Sequence, residues 1–269
     1  MNSRPHRNNG RRAGLGLALS DLHLLRHPNT STISLDQLPE MTTQYQLVIF
    51  NGDMFDFEWT SFKTEPDAIR FALRWVKDLA QSQPDCKFVF LAGNHDHDPL
   101  YSEGIERLAA ENPNVHWKFE YLRVGDKVFL HGDATHIGAR LESLPALRRR
   151  WSATRRKLSS LRRFYHFFNS PAKIAKITSV LPKKYWARRI SAYLQAAMKE
   201  EFEEIKDVYF GHTHVAFRDY VFENHVYHNS GSSIKGVKML PLEFRFEHED
   251  LDLIESTNRT HKAEKETLL

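Results

Sequence analysis

Residues able to hold a cation or move a proton recur at the ends of short apolar runs. Asp21 and His23 follow Leu15–Leu19, Asp53 and Asp56 follow Leu47–Phe50, and Asn94, His95 and Asp96 follow Phe88–Leu91. His131 follows an apolar stretch ending at Leu130, and His212 and His214 follow Asp207–Phe210. Oxygen and imidazole donors without sulfur suit Mn, Fe, Zn, Mg or Co. Two such cations about 3.5–4 Å apart need a shared carboxylate, because unshielded dications repel. A paired centre of this kind ionises water near neutral pH and spreads charge on an attacked phosphoryl group, which is phosphoester hydrolysis.

Something must deliver these groups to one place. Each apolar run is too short for a helix and reads as a buried strand, broken at its exit by Gly or polar residues. Asp21 and His23, two apart on extended backbone, point to one side. Ile69, Leu73, Val76 and Leu79 predict a helix over 67–80, and a second is expected over 103–110. Residues 121–130 read as a hairpin about Gly125 and Asp126, and further strands are expected near 218–222, 225–228 and 242–246. Alternating strand and helix predicts an α/β fold, in which ligands collect outside the carboxyl ends of strands.

Composition narrows the function classes. The 269 residues carry a net charge of +4, a pI near 9.0 and one cysteine, Cys86, so internal disulfides and thiolate metal clusters are excluded. No run approaches a spanning helix, and the basic N-terminus lacks an apolar region of signal-peptide length before Ser20, so export is not expected. Residues 1–12 read as a disordered basic tail, 13–254 as the folded domain and 255–269 as a frayed tail. Within the domain, 140–206 stands out as a basic helical insert: from Arg140 to Arg189 there are 15 Lys or Arg against one acid, Glu142.

Five strand exits in this order, Asp21-X-His23, Gly52-Asp53-X-X-Asp56, Gly93-Asn94-His95-Asp96, His131-Gly132 and Gly211-His212-X-His214, resemble the calcineurin-like metallophosphoesterase superfamily over 17–133 and 207–233. The resemblance implies a four-layer sandwich, two mixed β-sheets flanked by helices, with the insert as a helical cap. It implies two divalent metal ions, Mn first and Fe, Zn or Mg as alternatives, bridged by Asp53. Asp21, His23 and His214 would complete the first site; Asn94, His131 and His212 the second. His95 takes the place of the family's catalytic histidine and Asp56 that of its carboxylate partner. Asp133 could orient His131 or serve a turn; His97, Asp98, His136 and His228 read as surface or supporting residues, and the loop 229–233 as packing or phosphate binding.

Phe57 stands where protein phosphatases of the superfamily carry Arg, which disfavours that substrate class. The aromatic run through Trp59 and the insert look like the UDP-2,3-diacylglucosamine pyrophosphatases of lipid A biosynthesis, cytoplasmic enzymes peripheral on the inner face of the membrane, although that family carries Arg where this chain has His95. Arg155, Arg156, Arg162, Arg163, Phe164 and Phe168 are the candidate substrate contacts of the insert. Arg-rich helices with aromatics also suit a phosphodiesterase or nuclease, salt-sensitive DNA or RNA binding being the mark of the latter. A non-catalytic scaffold is the remote alternative.

Overall fold

The computed structural model describes residues 13–137, 144–158, 181–251 and 254. Its first sheet has the order β10-β1-β2-β3-β4, built from Leu242–Glu247, Ala13–Leu19, Leu47–Phe50, Lys87–Leu91 and Val115–Lys118. The second has the order β5-β6-β7-β9-β8, from Tyr121–Val124, Lys127–Leu130, Asp207–Phe210, His225–Asn229 and Phe217–Phe222. Both are mixed: β1 to β4 pair parallel while β10 is antiparallel to β1, and β6, β7 and β9 pair parallel between antiparallel β5 and β8.

The period-2 alternation of each strand sorts its side chains between two cores. Val48, Phe50, Phe88 and Phe90 face one side, against α2 (Glu65–Ser82) and α3 (Pro99–Glu111). Leu47, Ile49, Val89 and Leu91 face the second sheet, meeting Phe129 and Tyr209. Strands buried on both faces read as unbroken apolar runs, which is why these were visible in the sequence. The outer face of the second sheet packs Val128, Leu130, Val208 and Tyr227 against Leu144 and Leu147 of α4 (Leu144–Leu158) and against α5 (Lys183–Met198). Helix, sheet, sheet and helix thus form the four-layer sandwich.

Helix α2 begins two residues before the expected start, because Thr64 caps it by accepting from the Asp67 amide at 3.2 Å and Pro66 fits the first turn. Asp98 caps α3 in the same way, accepting from Leu100 N at 2.8 Å. Strand β4 and the short α1 (Leu38–Thr42) were not expected. Of the basic insert, α5 buries Trp186, Ile190 and Leu194 and is a layer of the sandwich. The expected tails 1–12 and 255–269 lie outside the described residues, and so do Arg162, Arg163, Phe164 and Phe168; Arg155 and Arg156 lie along α4.

Candidate metal centre

The strand exits converge at the carboxyl edge shared by the two sheets. Asp21, Asp53, Asp56 and His131 are fully buried or nearly so, with His23 at 2% exposure. The chain enters this region in tight turns: Asp21, His23, Asp53, His212 and His214 all have left-handed φ, at 54°, 46°, 52°, 67° and 57°. Such conformations cost about 1–3 kcal/mol each for residues other than Gly. The turns are held by backbone bonds, Asp21 N to Gly52 O at 3.1 Å and His23 N to Asp53 O at 3.0 Å. Gly52 is itself left-handed at 83°, and a Cβ there would lie 2.5 Å from His131 Nδ1, so only Gly lets that imidazole sit behind the turn.

Two groups of donor atoms crowd together. His23 Nε2 and His214 Nε2 stand 3.2 Å apart, with Asp21 Oδ1 at 3.9 and 3.1 Å from them and without a hydrogen-bond partner among the described residues. In the second group, His131 Nδ1 donates to the Asn51 carbonyl at 3.0 Å, which turns the Nε2 lone pair inward. That Nε2 lies 3.2 Å from Asn94 Oδ1 and 3.3 Å from Asp53 Oδ2, and the ligand atoms of Asp53, His131 and His212 all lie within 4.8 Å of one another. Lone pairs aimed at a common point, with the outer imidazole nitrogen tied to a carbonyl, fit divalent cations. Asp53 belongs to this second group, and its Oδ1 accepts from the His95 amide at 2.8 Å.

Beside them, His95 Nδ1 meets Asp56 Oδ1 at 3.2 Å, and the His95 ring stands edge-on to His23 with centroids 5.0 Å apart. Arg26 donates to Asp56 Oδ2 at 2.5 Å. Burial alone would raise the Asp21, Asp53 and Asp56 carboxyls, yet the surrounding histidines hold all three below the usual carboxylate range. Burial opposes charge on His131, but Asp53 and Asp21 overcome it and carry its pKa up to about 10. Burial, with His131 and His136 beside it, pushes His212 down to about 3.

All seven expected ligands and the His95–Asp56 pair are therefore brought together. Asp133 does not orient His131: its carboxylate is taken by Arg148, and the Asn51 carbonyl holds the imidazole instead. Loop 229–233 props up the turns, Ser232 Oγ donating to Asp21 O at 2.8 Å and Asn229 Nδ2 to Gly211 O at 3.0 Å. His136 Nε2 approaches His212 Nε2 at 3.0 Å, whereas His228 pairs with Asp207 at 3.0 Å within the second sheet. Sequence reasoning missed Arg26, which no spacing links to Asp56, and the task of Asp96. The buried Asp96 carboxylate accepts from Gly93 N at 2.7 Å and Met54 N at 2.8 Å, clamping one strand exit to another.

Residues 17–216 match the model of the calcineurin-like phosphoesterase family. The chain belongs to that family. As a calcineurin-like phosphoesterase it is a hydrolase, and its clustered His and Asp residues could hold two metal ions. Among solved structures it is similar to a dimetal phosphatase from Danio rerio, at 12% identity and a TM-score of 0.42, over 82% of this chain and 88% of that one. Among curated proteins no sequence matches. No helix among the described residues is long and apolar enough to cross a membrane.

Proposed function

We propose that this phosphoesterase works through two divalent cations bridged by Asp53, with Asp21, His23 and His214 around the first and Asn94, His131 and His212 around the second. The observation that carries this is the pair of donor groups, Asp21, His23 and His214 in one and Asp53, His131 and His212 in the other, each with its ligand atoms within 4.8 Å of one another. When bound, the metal pair supplies Lewis-acid stabilisation of phosphoryl oxygens and an ionised water as nucleophile. Manganese is the first expectation and Fe, Zn or Mg the alternatives, since carboxylate, amide-oxygen and imidazole donors suit each of them.

The chain's own part in the reaction is proton delivery. His95 Nδ1 meets Asp56 Oδ1 at 3.2 Å, and the His95 side chain is 19% exposed where Asp56 is wholly buried. The carboxylate fixes the tautomer and favours imidazolium, so His95 protonates or neutralises the leaving oxygen. Arg26 holds the far oxygen of Asp56, so that the carboxylate is fixed behind the imidazole.

For the substrate we infer a nucleotide linked by pyrophosphate to a lipid, of the UDP-diacylglucosamine kind, met at an anionic membrane surface. Support comes from the basic, aromatic-rich stretch between Arg140 and Arg189, which suits a lipid diphosphate. The domain is taken as 13–254, with 140–206 as the insert that contacts substrate. The test is Mn-supplemented hydrolysis of UDP-diacylglucosamine, bis-p-nitrophenyl phosphate, a phosphomonoester and single-stranded DNA. UMP release from the first, with the others slow, is expected; preferential cleavage of DNA would replace the lipid reading with a nuclease.

A further inference from the structure

A wholly buried arginine lies just outside the coordinating set. Arg148 has 0% exposure and sits in the second turn of α4, on the stripe formed with Leu144, Leu147 and Trp151. Removing a guanidinium from water is strongly unfavourable unless its donors are satisfied. Here they go to three separate segments. Nε donates to Asp133 Oδ2 at 2.7 Å and Nη2 to Asp133 Oδ1 at 3.0 Å, a bidentate pair in which Asp133 is also at 0% exposure. Nη2 donates in addition to the Ala92 carbonyl at 2.7 Å, and Nη1 to the Phe119 carbonyl at 2.6 Å.

The acceptors lie next to half of the centre. Ala92 immediately precedes Gly93-Asn94-His95, and Asp133 is two residues beyond His131. One side chain therefore pins the exit of β3 in the first sheet to the exit of β6 in the second, where Asn94 Oδ1 and His131 Nε2 stand 3.2 Å apart. The turns of Asp21 and His23 are held otherwise, by Gly52 O, Asp53 O and the serines of loop 229–233. We propose that Arg148 is a positioning residue for the second cation site, so that affinity there depends on the docking of α4 while the first site is independent of it. This rests on the two-cation reading above. Linkage is reciprocal, so loading the second site must in turn tighten α4 on the sheets.

The test compares full-length wild type with Arg148→Lys, which keeps the charge but cannot form the fork. Manganese stoichiometry and affinity are measured by calorimetry and elemental analysis, and amide exchange is followed along residues 144–151 with and without Mn. Wild type should bind two ions and slow the exchange of α4 on taking up the second. Arg148→Lys should bind the second ion about 10- to 100-fold more weakly, with the first unchanged. A variant that binds both ions like wild type, or weakens both equally, overturns the positioning role while leaving the two-cation reading intact. Wild type that binds fewer than two ions removes that reading and the proposal with it. If the variant does not fold, wild-type exchange decides: α4 amides indifferent to the second ion overturn the proposal.

Discussion

Around Asp56 three side chains compete for one carboxylate. Arg26 takes Oδ2 at 2.5 Å, His95 meets Oδ1 at 3.2 Å, and His23 Nδ1 approaches to 3.6 Å, outside hydrogen-bond reach. In the reading proposed above, His95 is an acid steered by the Asp56 carboxylate. His95→Ala should lower turnover by about 10²- to 10⁴-fold while metal content by elemental analysis stays at the wild-type level. A loss of metal in step with activity would remove His95 from the proton-transfer role. The ligands were legible because coordinating residue types at strand exits have few other reasons to gather. Arg26, Asn51 and Asp96 were not, because each acts through a partner distant in sequence, a carboxylate for Arg26, an imidazole for the Asn51 carbonyl and the Met54 amide for Asp96, and no spacing rule records such contacts.

At the scale of the element, the site depends on how closely strand exits can approach. A Cβ on Gly93 would collide with Asp53 Oδ1 and the Asp53 amide, so β2 and β3 deliver their loops together only with glycine there. Gly93→Ala should cost about 1–3 kcal/mol of stability through overpacking and weaken cation binding, since Asp53 must move. Urea unfolding of the metal-free variant and Mn titration would check the two effects; a variant with wild-type values for both would show that the close approach is not limiting. The central strands and long helices were legible from apolar runs and helical spacing. β4 was not, since Val115-His116-Trp117-Lys118 has no such run and becomes a strand by pairing parallel to β3. α1 is a single turn with Pro39 inside it, too short to show a period.

Across the whole molecule the buried charges make a metal-free protein that favours acid. Burial and Asp53 push Asp96 up to about 6, and the carboxylates beside His131 carry it to about 10. Both folded-state values are raised, so both contributions are present at low pH and are lost as pH rises, Asp96 between about 4 and 6 and His131 from 6.5 towards 10. Asp133 runs the other way: burial would raise it, but Arg148 brings it from 3.8 to about 2, so its stabilisation disappears below pH 4. His212, pushed down to about 3, runs against Asp96: its stabilisation grows as pH rises from about 3 to 6.5 and offsets the Asp96 loss, so with EDTA the melting temperature should peak at about pH 6. Manganese should move the maximum towards neutrality, because cations replace the proton on His131 and offset the carboxylates. A chelated protein most stable above pH 7 would contradict this. The layers were legible from strand and helix alternation, whereas the place of α5 as the outer layer was not, because its basic residues resemble those of the rest of the insert.

The left-handed turns at Asp21, His23, Asp53, His212 and His214 have a consequence for how such a protein would drift. Glycine would relax every one of these five positions, and each relaxation would abolish a donor. Under selection for heat tolerance alone, with turnover left unrewarded, this sequence should decay first at the residues of the proposed metal centre, and a fold more robust than the parent would survive the loss of that centre.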